Sequence, residues 1–135
     1  MIYGIGHDVL EIKRIEKLLS ERIGQPFMKR VLTSKEYTLA QSRGPKLVEF
    51  TAGRFAAKEA IVKAFGCGIG SVIGFGDIEI LPNALGKPEV HVSEQAWEKL
   101  NLPGQPQDYG IHLSITHQKD LASAFAVVER LHEQD

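Results

Sequence analysis

Cysteine is nearly absent from this chain of 135 residues: Cys67 stands alone, so neither an internal disulfide nor a cysteine-based zinc site can form. Long apolar runs are absent too. The chain opens Met1-Ile-Tyr-Gly-Ile-Gly-His-Asp8, without a basic leader or an apolar stretch of spanning length. Secretion and membrane insertion are therefore disfavoured, and a cytoplasmic protein with no membrane partner is expected. Aromatic residues are scarce at 7%, and the net charge is only −1. Basic residues without interleaved aromatics fit nucleic acid poorly.

What is present is the composition of a soluble globule, 43% hydrophobic and 24% charged, at a length that suits a single domain over 1–135. The small net charge hides an asymmetry. Residues 1–67 hold 12 Lys and Arg against 7 Asp and Glu, and the remainder holds 4 against 10. A basic front half suits a partner rich in phosphate or carboxylate; an unevenly charged but merely solvated surface is the plain alternative.

Ile2 to Val9 reads as a strand, with Gly4 and Gly6 where something approaches the backbone closely. Glu11 to about Ile23 reads as an amphipathic helix, broken at Gly24-Gln-Pro26, and a short helical turn covers Phe27 to Leu32. Thr33-Ser-Lys-Glu36 resembles a capping box opening a helix that ends near Gly44. Pro45 suits the first turn of the next helix. Strands follow at Asp77–Leu81, Pro88–Val92, Ile111–Thr116 and Leu121–Val128, with a short helix after Ser93. The fold class is α+β: one domain, with an antiparallel sheet packed on a long central helix.

That central helix, Phe50 to Gly66, carries the chemistry. It is rich in alanine, lacks an interior proline and stops at glycine. At helical spacing Phe50, Ala57, Ile61 and Ala64 share one face, while Glu59 and Lys63 fall opposite, between Phe55 and Val62. An ionised Glu59 among apolar neighbours needs a cation or hydrogen bonds to offset its desolvation. Lys63 is one available partner at i,i+4. A metal ion shared with Asp8 is another, since magnesium is often held by one or two carboxylates plus substrate phosphates. Asp8 alone reads equally as a cap for the following helix. Gly66-Cys-Gly-Ile-Gly70 lies after a helix rather than before one, so it is a helix cap and loop whose amides could still line a ligand. His117 falls at a hairpin corner, either as an ordinary surface histidine or as a phosphate or sugar contact. His7, His91, His112 and His132 show no metal-ligand spacing. Arg14, Lys17 and Arg22, followed by Lys29 and Arg30, form a solvated basic face or a docking surface for an acidic protein.

Three of these segments together resemble one family. Gly4-Ile-Gly-His-Asp-Val-Leu-Glu-Ile-Lys-Arg-Ile15 is similar to the N-terminal motif of the holo-acyl-carrier-protein synthases. Phe55-Ala-Ala-Lys-Glu-Ala-Ile-Val-Lys-Ala-Phe-Gly66 resembles their magnesium and coenzyme A helix, and His112-Leu-Ser-Ile-Thr-His117 their late strand. The order and spacing match across essentially the whole chain. The resemblance implies transfer of 4′-phosphopantetheine from coenzyme A to a serine of apo-acyl carrier protein, releasing adenosine 3′,5′-bisphosphate, in support of fatty acid biosynthesis. It implies Mg²⁺ on Asp8 and Glu59, with Lys63 near the pyrophosphate. It places Arg54, Gly66 and His117 at coenzyme A, and Arg14, with Lys17 and Arg22, at the carrier. It also implies a homotrimer with active sites between subunits.

Overall fold

The computed structural model describes residues 1–131; His132 lies outside them. Strand β1 spans Ile2–Glu11 and runs straight into helix α1, Ile12–Ser20. Asp8 is therefore interior to a strand, and the residue at the cap position of α1 is Glu11, which makes no capping hydrogen bond. The alternative reading of Asp8 as a helix cap is thus overturned. Gly24-Gln-Pro26 does not break a helix but begins one: α2 spans Gly24–Val31, with Pro26 in its first turn, where a missing N–H costs nothing. Helix α3, Ser34–Ser42, opens on the expected capping box, with Thr33 and Glu36 bonding each other's backbone N–H. Pro45 belongs to a 3₁₀ turn, Gly44–Lys46, just ahead of α4, Leu47–Phe65.

Past α4 come β2 (Ile78–Pro82), β3 (Pro88–Val92), α5 (Glu94–Leu100), β4 (Tyr109–His117) and β5 (Leu121–Arg130). The strands form two antiparallel sheets rather than one: β1-β5-β4, and a separate hairpin β2-β3. Ser93 caps α5 as expected, accepting from the Ala96 amide at 3.2 Å.

Helix α4 is buried nearly all round, which is why its apolar residues occupy more than one face. The sheet lies on one side of it and α1 to α3 lie on others. Its contact with the sheet is unusually close. A Cβ added to Gly6 would stand 1.7 Å from the Ala60 carbonyl oxygen, and one added to Gly4 would stand 1.8 Å from that of Ala64. Ala122, Ala124 and Ala126 of β5 are buried beside them. Small residues on both surfaces let helix and strand backbones meet, so β1 is seated at a fixed depth on α4. The C-terminus of α4 is closed by Gly66 at φ 84°, whose amide reaches the Val62 and Lys63 carbonyls. Two residues of opposite charge, Glu36 and Lys58, are wholly buried and joined at 2.6 Å.

Candidate active site

Only a narrow stripe of the middle and C-terminal part of α4 reaches solvent: Phe55, Glu59 and Lys63, spaced four apart. Phe55 packs between Phe27 and Phe75, with ring centroids at 6.1 and 5.4 Å. Val62, expected beside Glu59, is instead fully buried. The two charges of the stripe meet β1. Lys63 Nζ donates to Asp8 Oδ1 at 3.0 Å and to the His7 carbonyl at 3.1 Å. The ammonium is thus turned away from the i,i+4 pairing with Glu59 that helix spacing offers. Among the described residues Glu59 has no hydrogen bond and no ion pair. Burial pushes its carboxyl above the usual range, the nearby Asp8 charge pushes the same way, and Lys63 pulls back.

Asp8, Glu59 and Lys63 therefore form one group, two half-buried carboxylates with a half-exposed ammonium. Two hard oxygen donors that repel each other suit a divalent cation. No set of three or more His, Cys, Asp or Glu able to hold a metal exists among the described residues. Two carboxylates alone would leave the remaining positions of a divalent cation to water or substrate oxygens. Gly66 follows three residues past Lys63, with open space above its Cα.

Arg54 and His117 are brought together elsewhere, around a cavity of about 290 Å³ that Arg43, Lys46, Glu49, Phe50, Pro82, Gly86 and Pro88 also line. His117 is the last residue of β4, paired with Ala122, rather than a hairpin corner. Its Nδ1 lies 3.0 Å from Glu49 Oε1. The Phe50 ring is flanked by two guanidinium groups, Arg54 at 4.4 Å and Arg43 at 5.3 Å from its centroid. Burial brings Arg54 down to about 10; Glu36 pulls it up and Arg43 pushes it down, leaving it a full cation at neutral pH. Arg43 and Lys46 were missed in the sequence. Lys46, Phe50 and Arg54 follow one another at i,i+4, the signal that would have joined the inter-helix turn to the helix face.

The two groups do not meet within one chain. Nine residues at about 100° each put Arg54 about 180° around α4 from Lys63 and about 13.5 Å along it. The strands divide in the same way: Asp8 lies on β1 and His117 on β4, the two edges of the three-stranded sheet. Arg14, Lys17 and Arg22 form a third group, exposed on α1 and just beyond its end, with no carboxylate partner among the described residues.

The sequence model of the 4′-phosphopantetheinyl transferase superfamily matches residues 4–126. The chain belongs to that superfamily. It is an enzyme of the phosphopantetheinyl transferase kind. It is 43% identical to the holo-[acyl-carrier-protein] synthase of Magnetococcus marinus, over 96% of this chain and 94% of that one. Identity to the synthase of Bacillus cereus is 44%, over 97% and 98%. Among solved structures, the synthase of Neisseria meningitidis superposes with a TM-score of 0.84 at 40% identity, covering 96% of this chain and 99% of that one. The Bacillus anthracis synthase, in complex with CoA (3′,5′-ADP), superposes at 0.78 with 43% identity, covering 95% and 96%. No helix among the described residues of this transferase-family chain is long and apolar enough to cross a membrane.

Proposed function

We propose that the protein transfers the 4′-phosphopantetheine arm of coenzyme A to a serine of apo-acyl carrier protein, releasing adenosine 3′,5′-bisphosphate. The reaction depends on magnesium and supports fatty acid biosynthesis in the cytoplasm. The observation that carries this reading is the Asp8–Lys63 pair beside the unpartnered Glu59 carboxylate, in a chain of this superfamily. Asp8 and Glu59 would hold the magnesium ion, which when bound would neutralise charge on the pyrophosphate oxygens.

The chain's own groups do the rest. Lys63 presents a point charge to the same oxygens. The serine oxygen attacks the phosphorus nearer the pantetheine. As that O–P bond forms, the bond from this phosphorus to the nucleotide phosphate oxygen breaks, and its electrons leave with adenosine 3′,5′-bisphosphate. The serine proton passes to Glu59. Little covalent work remains for the protein beyond orientation. Arg54 and His117, with Arg43 and Lys46, take the phosphates of the nucleotide end, and Gly66 leaves backbone open to the coenzyme A chain. Arg14, Lys17 and Arg22 steer and orient an acidic carrier.

The placement of the two groups on opposite sides of α4 supports an assembly in which one copy supplies Arg54 and His117 and its neighbour supplies Asp8, Glu59 and Lys63. The outer face of the three-stranded sheet adds support. Ile5 is 54% exposed, Val9 53%, Leu121 42% and Phe125 46%, an apolar face suited to a second copy. A homotrimer, as the family resemblance implies, satisfies both observations. The deciding experiment incubates the protein with apo carrier, coenzyme A and Mg²⁺ and weighs the carrier. A gain of one phosphopantetheine that needs both additions is expected. A folded protein that leaves the carrier mass unchanged refutes the reading.

A further inference from the structure

Strand β2 pairs with β3 along one edge only, and its other edge is buried against α3 and α4 without a strand partner. Backbone groups on a buried edge require partners. At Ile80 both partners are charged side chains. The Ile80 amide donates to Glu36 Oε2 at 2.9 Å, and the Ile80 carbonyl accepts from Arg54 Nε at 3.1 Å. Glu36 Oε1 is occupied as well, by the Thr33 amide at 2.8 Å and by Lys58 Nζ at 2.6 Å. Lys58 spends its two remaining protons on the carbonyls of Val31, at 2.7 Å, and Phe75, at 3.0 Å. One fully satisfied cluster thus ties the ends of α2 and α3, the middle of α4 and the free edge of β2.

The hairpin held in this way is not passive. Two residues past Ile80 it supplies Pro82, then Gly86 and Pro88, to the cavity whose opposite wall is Arg54, Phe50 and Lys46. Among the described residues no backbone hydrogen bond joins the hairpin to the three-stranded sheet, so the separation of the two walls is set by packing and by these side-chain bonds.

We propose that the buried Glu36–Lys58 pair is a positioning device: it clamps the edge of β2 and thereby fixes the width of the Arg54–His117 cavity for the nucleotide end of coenzyme A. The proposal rests on the functional reading above and adds residues that touch neither substrate. A salt bridge that only held the fold together would lower stability without discriminating between substrates. A clamp on this wall weakens one substrate selectively.

The test compares the wild-type protein with two variants. Glu36→Asp keeps the charge on Lys58 compensated but shortens the reach to Ile80. The double variant Glu36→Gln/Lys58→Met removes both charges of the pair together, so neither is left facing the other's vacancy. Binding of adenosine 3′,5′-bisphosphate is measured by calorimetry, and the KM values for coenzyme A and for carrier are measured separately, on variants that melt cooperatively. Nucleotide affinity and the coenzyme A KM are expected to worsen by about tenfold, while the carrier KM shifts by less than about twofold. Unchanged nucleotide affinity in a folded variant overturns the clamp, and so does equal loss for both substrates. Absence of nucleotide binding by the wild-type protein overturns the functional reading instead, and the purpose assigned to the clamp with it.

Discussion

Lys63 lies four residues beyond Glu59 on α4, yet its ammonium is 3.0 Å from Asp8 on β1, and the Glu59 side chain has no partner among the described residues. On the proposed reading, this desolvated carboxylate, repelled by a second one, is the group that meets what arrives with the substrate.

Replacing that carboxylate tests the assignment. Glu59→Gln keeps the shape and removes the charge, so the variant should fold with the wild-type melting temperature and lose turnover by about 10²-fold or more. Its affinity for Mn²⁺, used as a spectroscopic stand-in for magnesium, should fall in parallel. Near-normal turnover by the mass-shift assay would refute both the metal-ligand and the proton-acceptor roles.

Arg54 and Lys63, on opposite sides of one helix, predict complementation. Arg54→Ala and Glu59→Gln proteins, each inactive, are unfolded together and refolded as a mixture. If sites are shared between neighbours, about one interface in four then combines an intact Arg54 side with an intact Glu59 side. Activity should return to about a quarter of the wild-type level. A mixture as inactive as its components would place each site within a single chain.

Charge reversal at Arg14 should act on the carrier alone. Arg14→Glu is expected to raise the carrier KM by about tenfold at low salt, with the difference shrinking as salt is added. The coenzyme A KM should stay at its wild-type value. Equal changes in both would remove α1 from the docking surface.

Seating of β1 on α4 can be probed through Gly6. A methyl group there meets the Ala60 carbonyl oxygen at 1.7 Å, so Gly6→Ala must lift the strand from the helix. The expected cost is about 1–3 kcal/mol in chemical denaturation, together with lost turnover as Asp8 moves away from Glu59. A variant as stable and active as wild type would show that the strand shifts freely.

Asp77 carries a pH dependence. Burial favours its neutral form, but the Ser93 hydroxyl at 2.7 Å, the Gly74 amide at 2.8 Å and the charge of Lys99 together outweigh burial and hold its pKa below the ordinary value. A carboxyl depressed on folding stabilises the protein above its unfolded pKa, near about 4, and loses that contribution as pH falls through the folded value. Asp77→Asn should therefore melt earlier than wild type at pH 7, and the gap should close in acid, below about pH 4. A gap independent of pH would contradict the ionised contact.

The parts legible in the sequence are those written in a few adjacent residues. The Thr33–Glu36 box, the Ser93 cap and the Gly66 terminus all formed as read, because each is a bond between a side chain or a glycine and backbone within a few positions. The helix start at Gly24 was misread for the converse reason: a proline stops a helix in its interior but not in its first turn. Asp8 was placed in the right strand but too close to its end, since a strand that runs directly into a helix leaves no turn residues to mark the boundary.

Lys58 and Glu59 show where such reading stops. They are adjacent, charged and on one helix, and nothing local distinguishes the ammonium that enters the core from the carboxylate that faces a site. Composition, caps and helical period determined the elements, the depth marked by Gly4 and Gly6, and the candidate chemistry of Asp8, Glu59 and Lys63. Only the tertiary structure decided that Lys63 turns to Asp8, that Glu36 and Lys58 bury together, and that Arg54 reaches the Ile80 carbonyl. Those outcomes depend on which distant carbonyls and carboxylates desolvate beside each charge, and that is settled by how α4 lies between the sheet and the early helices.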